Sequence, residues 1–132
     1  MAYLGCNVVN IKKEKHYWQI TLDREDVHNA FHPEMIEAIT KFYKEANEDN
    51  EIHCVVMSAN GKSFCAGADL GYLKTLQANT YEENLEDSKN LMELFKLIYH
   101  LKNQLLLPLF FGFCQESLEL ALRLCFLICC RV

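Results

Sequence analysis

Clustered basic residues are what this sequence most lacks. Lys and Arg are scattered, the formal net charge is −5, and the one short group, Lys12-Lys13-Glu14-Lys15, is broken by an acid. Nucleic acid and anionic membrane both reward clustered cations, so neither is expected as the main partner, and that group reads as a solvated face. The seven cysteines include no CxxC pair, and their number is odd. Cys125, Cys129 and Cys130 lie close together without His or Asp beside them, so they read as small apolar residues and no metal is expected. The opening stretch, MAYLGCNVVNIKK, has no signal-peptide pattern, and reduced thiols in the cytoplasm are the expectation. No membrane span is expected either. The apolar stretch from Leu118 to Val132 is fifteen residues long and is interrupted by Glu119, Arg123 and Arg131.

What is present is the composition of a globular domain. Of 132 residues, 51% are apolar and 23% charged, enough for one domain with a modest core. Tyr17-Trp18-Gln19-Ile20-Thr21-Leu22 predicts a strand from its aromatic and β-branched content. A polar loop, Asp23 to Phe31, leads to Pro33, which suits the first turn of a helix because its missing N–H costs nothing there. Met35, Ile39, Phe42 and Ala46, with Ile36 and Tyr43 beside them, make that helix amphipathic. Asn47-Glu48-Asp49-Asn50 closes it, and Ile52 to Met57 predicts a buried strand.

Asn60-Gly61 marks a turn, and Asp69 is placed to cap a short helix carrying Leu70, Leu73 and Leu76. Thr80 and Glu83 have capping-box spacing. The helix they open sets Leu85, Met92, Phe95 and Leu101 on one side with Leu91 and Ile98. The order strand, helix, strand, turn, helix, helix is an α/β pattern. Its small-residue turn, GKSFCAGADL from Gly61 to Leu70, lies at the C-terminal end of a strand, where such folds bind ligands. Two readings of that turn compete. It is a plain turn, or it lets a backbone N–H come close to a ligand with no side chain in the way.

The stretch LDREDVHNAFHPEM, followed by EDNEIHCVVMSANGKSFCAGADL, resembles the enoyl-CoA hydratase/isomerase (crotonase) superfamily over roughly residues 15–102. Tyr81-Glu82-Glu83-Asn84-Leu85 and the helix through Leu101 look most like the methylglutaconyl-CoA hydratase branch. The resemblance implies a truncated crotonase-like ββα spiral, first half only, as the α/β fold. It also implies an acyl-CoA thioester as substrate and no separate cofactor. By this likeness the N–H of Ala68 donates one of two hydrogen bonds to the thioester oxygen, where enolate charge builds, and a helix starting at Asp69 adds a positive dipole end. The CoA-facing set it implies is Val27, His28, Ala30, Ala66, Gly67, Ala68, Asp69 and Leu70. Relatives carry a basic residue just before the Asn that matches Asn29. Here Asp26 and Val27 are not basic, and only His28 could serve.

Past Asn103 the pattern changes, so the expected division is 1–103 as the family-like part and 104–132 as an apolar tail. In the family a Gly-Gly-rich segment should begin near Leu107 and supply the second donor and the catalytic glutamates. Here Gly112 stands alone, and Glu116 and Glu119 match no family motif. The departure reads as a frameshift or an alternative end. With that half missing, the strands at 17–22 and 52–58 are expected to keep an open edge, the family's trimer contacts to be lost, and the chain to be inactive as it stands. Two functions stay open at this point. One is a fragment of an acyl-CoA hydratase or isomerase; the other is a non-catalytic remnant or interaction protein with at most weak CoA binding.

Overall fold

The computed structural model describes residues 8–101 and the strand at 104–106. Strand β1 (Val9–Lys13) hairpins into β2 (Tyr17–Leu22). Helix α1 (Pro33–Glu48) follows, then β3 (Cys54–Ala59), α2 (Leu70–Thr75), α3 (Tyr81–Tyr99) and β4 (Gln104–Leu106). Short 3-10 turns lie at Glu25–Val27 and Leu76–Ala78. The strands form one sheet in the order β1-β2-β3-β4. The β1–β2 pair is antiparallel, with Val9 opposite Leu22, and the β2–β3 and β3–β4 pairs are parallel, with Tyr17 opposite Cys54 and Cys54 opposite Gln104. Each parallel step needs a helical crossover, and α1 and α3 supply them.

The sheet buries one face against those helices. Trp18, Ile20 and Leu22 from β2 and Val55, Met57 and Ala59 from β3 meet Met35, Ile39, Phe42, Tyr43 and Ala46 of α1. The period of two on the strands and of 3.6 on the helix put exactly one apolar stripe of each into this layer. Tyr43 is fully buried; its hydroxyl donates to Met57 Sδ at 3.6 Å, and burial pushes its phenol up. From α3 only Leu94 is fully buried, with Leu97, Ile98 and Leu101 packed behind it. The stripe expected from the sequence held Ile98 and Leu101, which do pack there, but it ran otherwise through Leu85, Leu91, Met92 and Phe95 and left out Leu94 and Leu97. The face actually turned inward follows Leu94 at i, i+3, i+4 and i+7.

Two further expectations are corrected. The strands at 17–22 and 54–59 are not open edges, because β1 flanks one and β4 the other. Lys12 and Lys13 lie on β1 with their side chains exposed, as a solvated face requires, and Lys13 Nζ sits 4.0 Å over the Trp18 ring and 2.6 Å from Glu45 Oε2. The strand expected at 52–57 runs from Cys54 to Ala59. Its extra residues are recruited by β2, where the Ser58 and Thr21 hydroxyls lie 2.8 Å apart and Gln19 Nε2 donates to Ser58 at 3.2 Å. The cap positions agree with expectation: Pro33 opens α1, Asp69 caps α2, and Thr80 with Glu83 forms a capping box on α3. Among the described residues no helix is long and apolar enough to cross a membrane. Cys125, Cys129, Cys130, Glu116, Glu119 and most of the 104–132 segment lie outside the described residues.

Candidate functional site

The segment Asn60–Leu70 leaves β3 and doubles back over residues 24–31. Its first bend falls at Gly61, where φ is +86° and a Cβ would lie 2.9 Å from Glu25 Cγ. Its second falls at Gly67, where φ is +98° and the space beyond the missing Cβ is open. Both conformations are ones that L side chains rarely adopt. Between the bends Cys65 is buried, and its sulfur accepts the Gly67 N–H at 3.4 Å, closing the turn from inside.

Residues 28–31 run beside this turn. The Ala66 N–H donates to the His28 carbonyl at 3.0 Å, the Phe31 N–H to the Gly67 carbonyl at 2.7 Å, and the Asp69 N–H to the Phe31 carbonyl at 3.0 Å. The last two contacts pair Phe31 with Ala68 in a parallel bridge. In such a bridge one residue spends both backbone groups on the neighbours of its partner, and the partner's own N–H and C=O point to the far side. Ala68 is that partner. The N–H groups of Ala66, Gly67 and Asp69 all have acceptors, whereas that of Ala68 meets none among the described residues. Ala66 and Ala68 are exposed, so only methyl groups stand beside the uncommitted donor.

Two side chains hold the ends of the loop. Asn29 is fully buried; its Oδ1 accepts the Arg24 N–H, and its Nδ2 donates to the carbonyls of Asn60 and Ser63, each at 2.8 Å. Arg24 reaches across with a fork: Nη1 donates to the Ala30 carbonyl at 2.8 Å and Nη2 to Asp69 Oδ2 at 2.8 Å. The other carboxylate oxygen of Asp69 accepts the Tyr72 N–H at 3.0 Å and caps α2. The Tyr72 N–H first, and the Arg24 guanidinium after it, hold the Asp69 carboxyl below the usual carboxylate range. Tyr72 itself is pushed up to about 12 by burial and then by its hydrogen bond to Asp87, with His32 packed edge-on against its ring at 5.6 Å.

The residues singled out from the sequence therefore fall on two adjoining segments. Val27 is half-buried on the 3-10 turn, and His28 is exposed, with Nδ1 3.5 Å from Ser63 Oγ. Ala30 is buried and its carbonyl is taken by Arg24. On the loop, Ala66 and Ala68 face outward, Gly67 is half-buried, Asp69 is buried, and Leu70 is 75% exposed. Helix α2 buries none of its residues. Arg24 and the side-chain role of Asn29 were not singled out. Their partners across the loop, Asn60, Ser63 and Asp69, lie 31 to 45 positions away in the chain, and no local pattern announces such contacts.

Comparison with known proteins gives this geometry a setting. A Thermus thermophilus protein described as an enoyl-CoA hydratase is 32% identical over 84 residues, which is 64% of this chain and 33% of that protein. The small ribosomal subunit protein mS47 of Arabidopsis thaliana is 35% identical over 72 residues, 54% of this chain and 17% of that one. The crystal structure of an enoyl-CoA hydratase from Shewanella pealeana superposes with a TM-score of 0.71 at 27% identity, covering 76% of this chain and 38% of that one. The chain thus spans well under half the length of the relatives it matches. Residues 17–106, which hold strands β2 to β4 and the loop around Ala68, match the enoyl-CoA hydratase/isomerase family, and the chain belongs to that family.

Proposed function

We propose that this chain carries one half of an enoyl-CoA site, in which the Ala68 N–H donates to the thioester oxygen of an acyl-CoA. The observation that carries this reading is the uncommitted Ala68 N–H, displayed beside exposed Ala66 and Ala68 while the adjoining amides of Ala66, Gly67 and Asp69 are satisfied. A donor already aimed at the position of developing negative charge stabilises an enolate more than the ground-state carbonyl. The chemistry it serves is water addition to, or double-bond shift in, an enoyl thioester. His28, Val27, Ala66 and Leu70 border the approach to the loop and form the CoA-facing side of the reading. The substrate branch carried by Tyr81-Glu82-Glu83-Asn84-Leu85 is methylglutaconyl-CoA.

Turnover also needs a second donor and an acid–base group. Asp69 is the sole carboxylate of the Asn60–Leu70 segment, and both its oxygens are engaged, by Arg24 and by the Tyr72 N–H. The 132 residues by themselves are therefore expected to bind thioester without turning it over. A non-catalytic role within the same family is the second reading, favoured by the likeness to a protein named as a ribosomal subunit component. Titration of the isotope-labelled chain with crotonyl-CoA, methylglutaconyl-CoA and CoA, following the Ala68 amide by NMR, separates the two. A downfield shift of that amide with the thioesters and not with CoA supports the donor reading. The absence of any amide response to all three leaves the non-catalytic reading in its place.

A further inference from the structure

The guanidinium of Arg24 touches the residues on either side of the Phe31–Ala68 bridge. Nη1 holds the carbonyl of Ala30, which precedes Phe31, and Nη2 holds the carboxylate of Asp69, which follows Ala68, both at 2.8 Å. Its own backbone N–H is fixed by Asn29 Oδ1 at 2.8 Å, so the side chain starts from a clamped root. The ion pair is well shielded, with side-chain exposures of 17% and 12%. A planar, rigid fork set this way fixes a spacing as well as a charge, and shielding weakens the screening by salt. The charge matters for a second reason. Asp69 follows Ala68 directly, and a bare carboxylate there would oppose negative charge gathering on an oxygen bound at the Ala68 N–H.

We infer that Arg24 is a positioning residue for the Ala68 donor, locking the loop through Ala30 and Asp69 and neutralising the one carboxylate beside it. The inference rests on the reading of Ala68 as the thioester's donor, but its first arm is independent of any ligand. Lysine cannot replace the fork, because a point ammonium does not hold both oxygens in one plane. Asp69→Asn keeps an oxygen for the Tyr72 N–H and removes the ion pair, so it isolates the Arg24 contact from the helix cap.

The test uses the full chain, with Arg24→Lys, Arg24→Gln and Asp69→Asn. Losing a charge-assisted bond should speed amide exchange at Ala66 and Asp69 by roughly ten- to a hundredfold, with Ile20 and Val55 in the sheet unchanged. Added crotonyl-CoA labelled with carbon-13 at the carbonyl should show a binding shift in the wild type that shrinks toward the free value in Arg24→Gln. Affinity for CoA lacking the acyl group should stay within about twofold. Unchanged exchange at Ala66 and Asp69 in all three variants overturns the inference, and so does acceleration spread equally to Ile20 and Val55. If Arg24→Gln does not fold, Arg24→Lys and Asp69→Asn decide by the same readouts. A wild type without any carbonyl shift, whose Asp69 exchange still responds to Arg24→Lys, refutes the Ala68 donor and keeps the locking role of Arg24.

Discussion

Replacing Asn29 should cost more than any other single change in the loop. The side chain is fully buried and makes three bonds, to the Arg24 N–H and to the carbonyls of Asn60 and Ser63. Each lost bond is worth about 1 kcal/mol net, and more where the stranded partner cannot reach water. The backbone adds to this. Asn29 sits at φ +55°, a conformation that Asn tolerates and Ala resists by roughly 1 kcal/mol. Asn29→Ala should therefore destabilise by about 3–4 kcal/mol. Asn29→Gly loses the same bonds but is at ease at positive φ, so it should cost roughly 1 kcal/mol less. Urea unfolding followed by tryptophan fluorescence reads both, since Trp18 lies in the core. The midpoint should fall by about 1–2 M at constant slope. A loss below 1 kcal/mol in Asn29→Ala, or a glycine variant no better than the alanine one, would refute the account of the loop as pinned by this side chain.

The other expectations are smaller. Gly67→Ala meets no atom but must hold φ +98°, so it should cost about 1–2 kcal/mol, through the backbone alone; a neutral result in the same urea assay would show that the turn relaxes. Gly61→Ala should cost more than that and recover part of the loss when combined with Glu25→Ala, because Glu25 Cγ is the atom its Cβ would strike; strict additivity of the two changes would contradict the contact. The Asp69 carboxyl titrates below its unfolded value of about 3.9, so its stabilising contribution is complete above that pH and fades as pH falls through the lowered folded value. Asp69→Asn should accordingly flatten the acid limb of stability against pH below about 4, and an unchanged limb would deny the carboxylate this role.

The parts of the fold legible in the sequence are those decided by neighbours in the chain. Pro33 at the start of α1, Asp69 at the cap of α2 and the Thr80–Glu83 box each act within four residues, and each stands where the pattern put it. Strand β1 was not legible, because VNIKK carries two lysines and little β propensity. It forms because β2 offers a ladder, and because the Lys13 ammonium can lie over the Trp18 ring. Leu94 was missed since the helix has apolar residues on more than one side, and only packing against α1 and the sheet chooses between them. At the site, the run of small residues from Ala66 to Ala68 was legible in composition and likeness, and the exposure of Ala66 and Ala68 came from the structure. Composition does not say which of four consecutive amides remains unspent; the likeness pointed to Ala68, and the structure gives the physical reason. The choice depends on the register of Phe31 against Ala68, set by a turn whose partners lie more than thirty residues apart.

The positions of backbone strain make the same point from energy. The described residues with positive φ are His28, Asn29, Gly61 and Gly67, and all four lie on the two segments that frame Ala68. None lies in the sheet or in the helices that build the core. For His28 and Asn29 the conformation costs on the order of 1 kcal/mol each, and it persists only where surrounding contacts over-determine it. Here those contacts are identifiable: the His28 carbonyl is bound by Ala66, Asn29 by three backbone groups, and the Arg24 fork spans the gap between the segments. A turn serving only to reverse the chain could relax into an unstrained form of similar length. This one spends hydrogen bonds to hold a strained form in which, of the four amides from Ala66 to Asp69, that of Ala68 alone meets no acceptor among the described residues. On the proposed reading, that strain keeps one donor ready for a ligand, a use that a plain turn would not have.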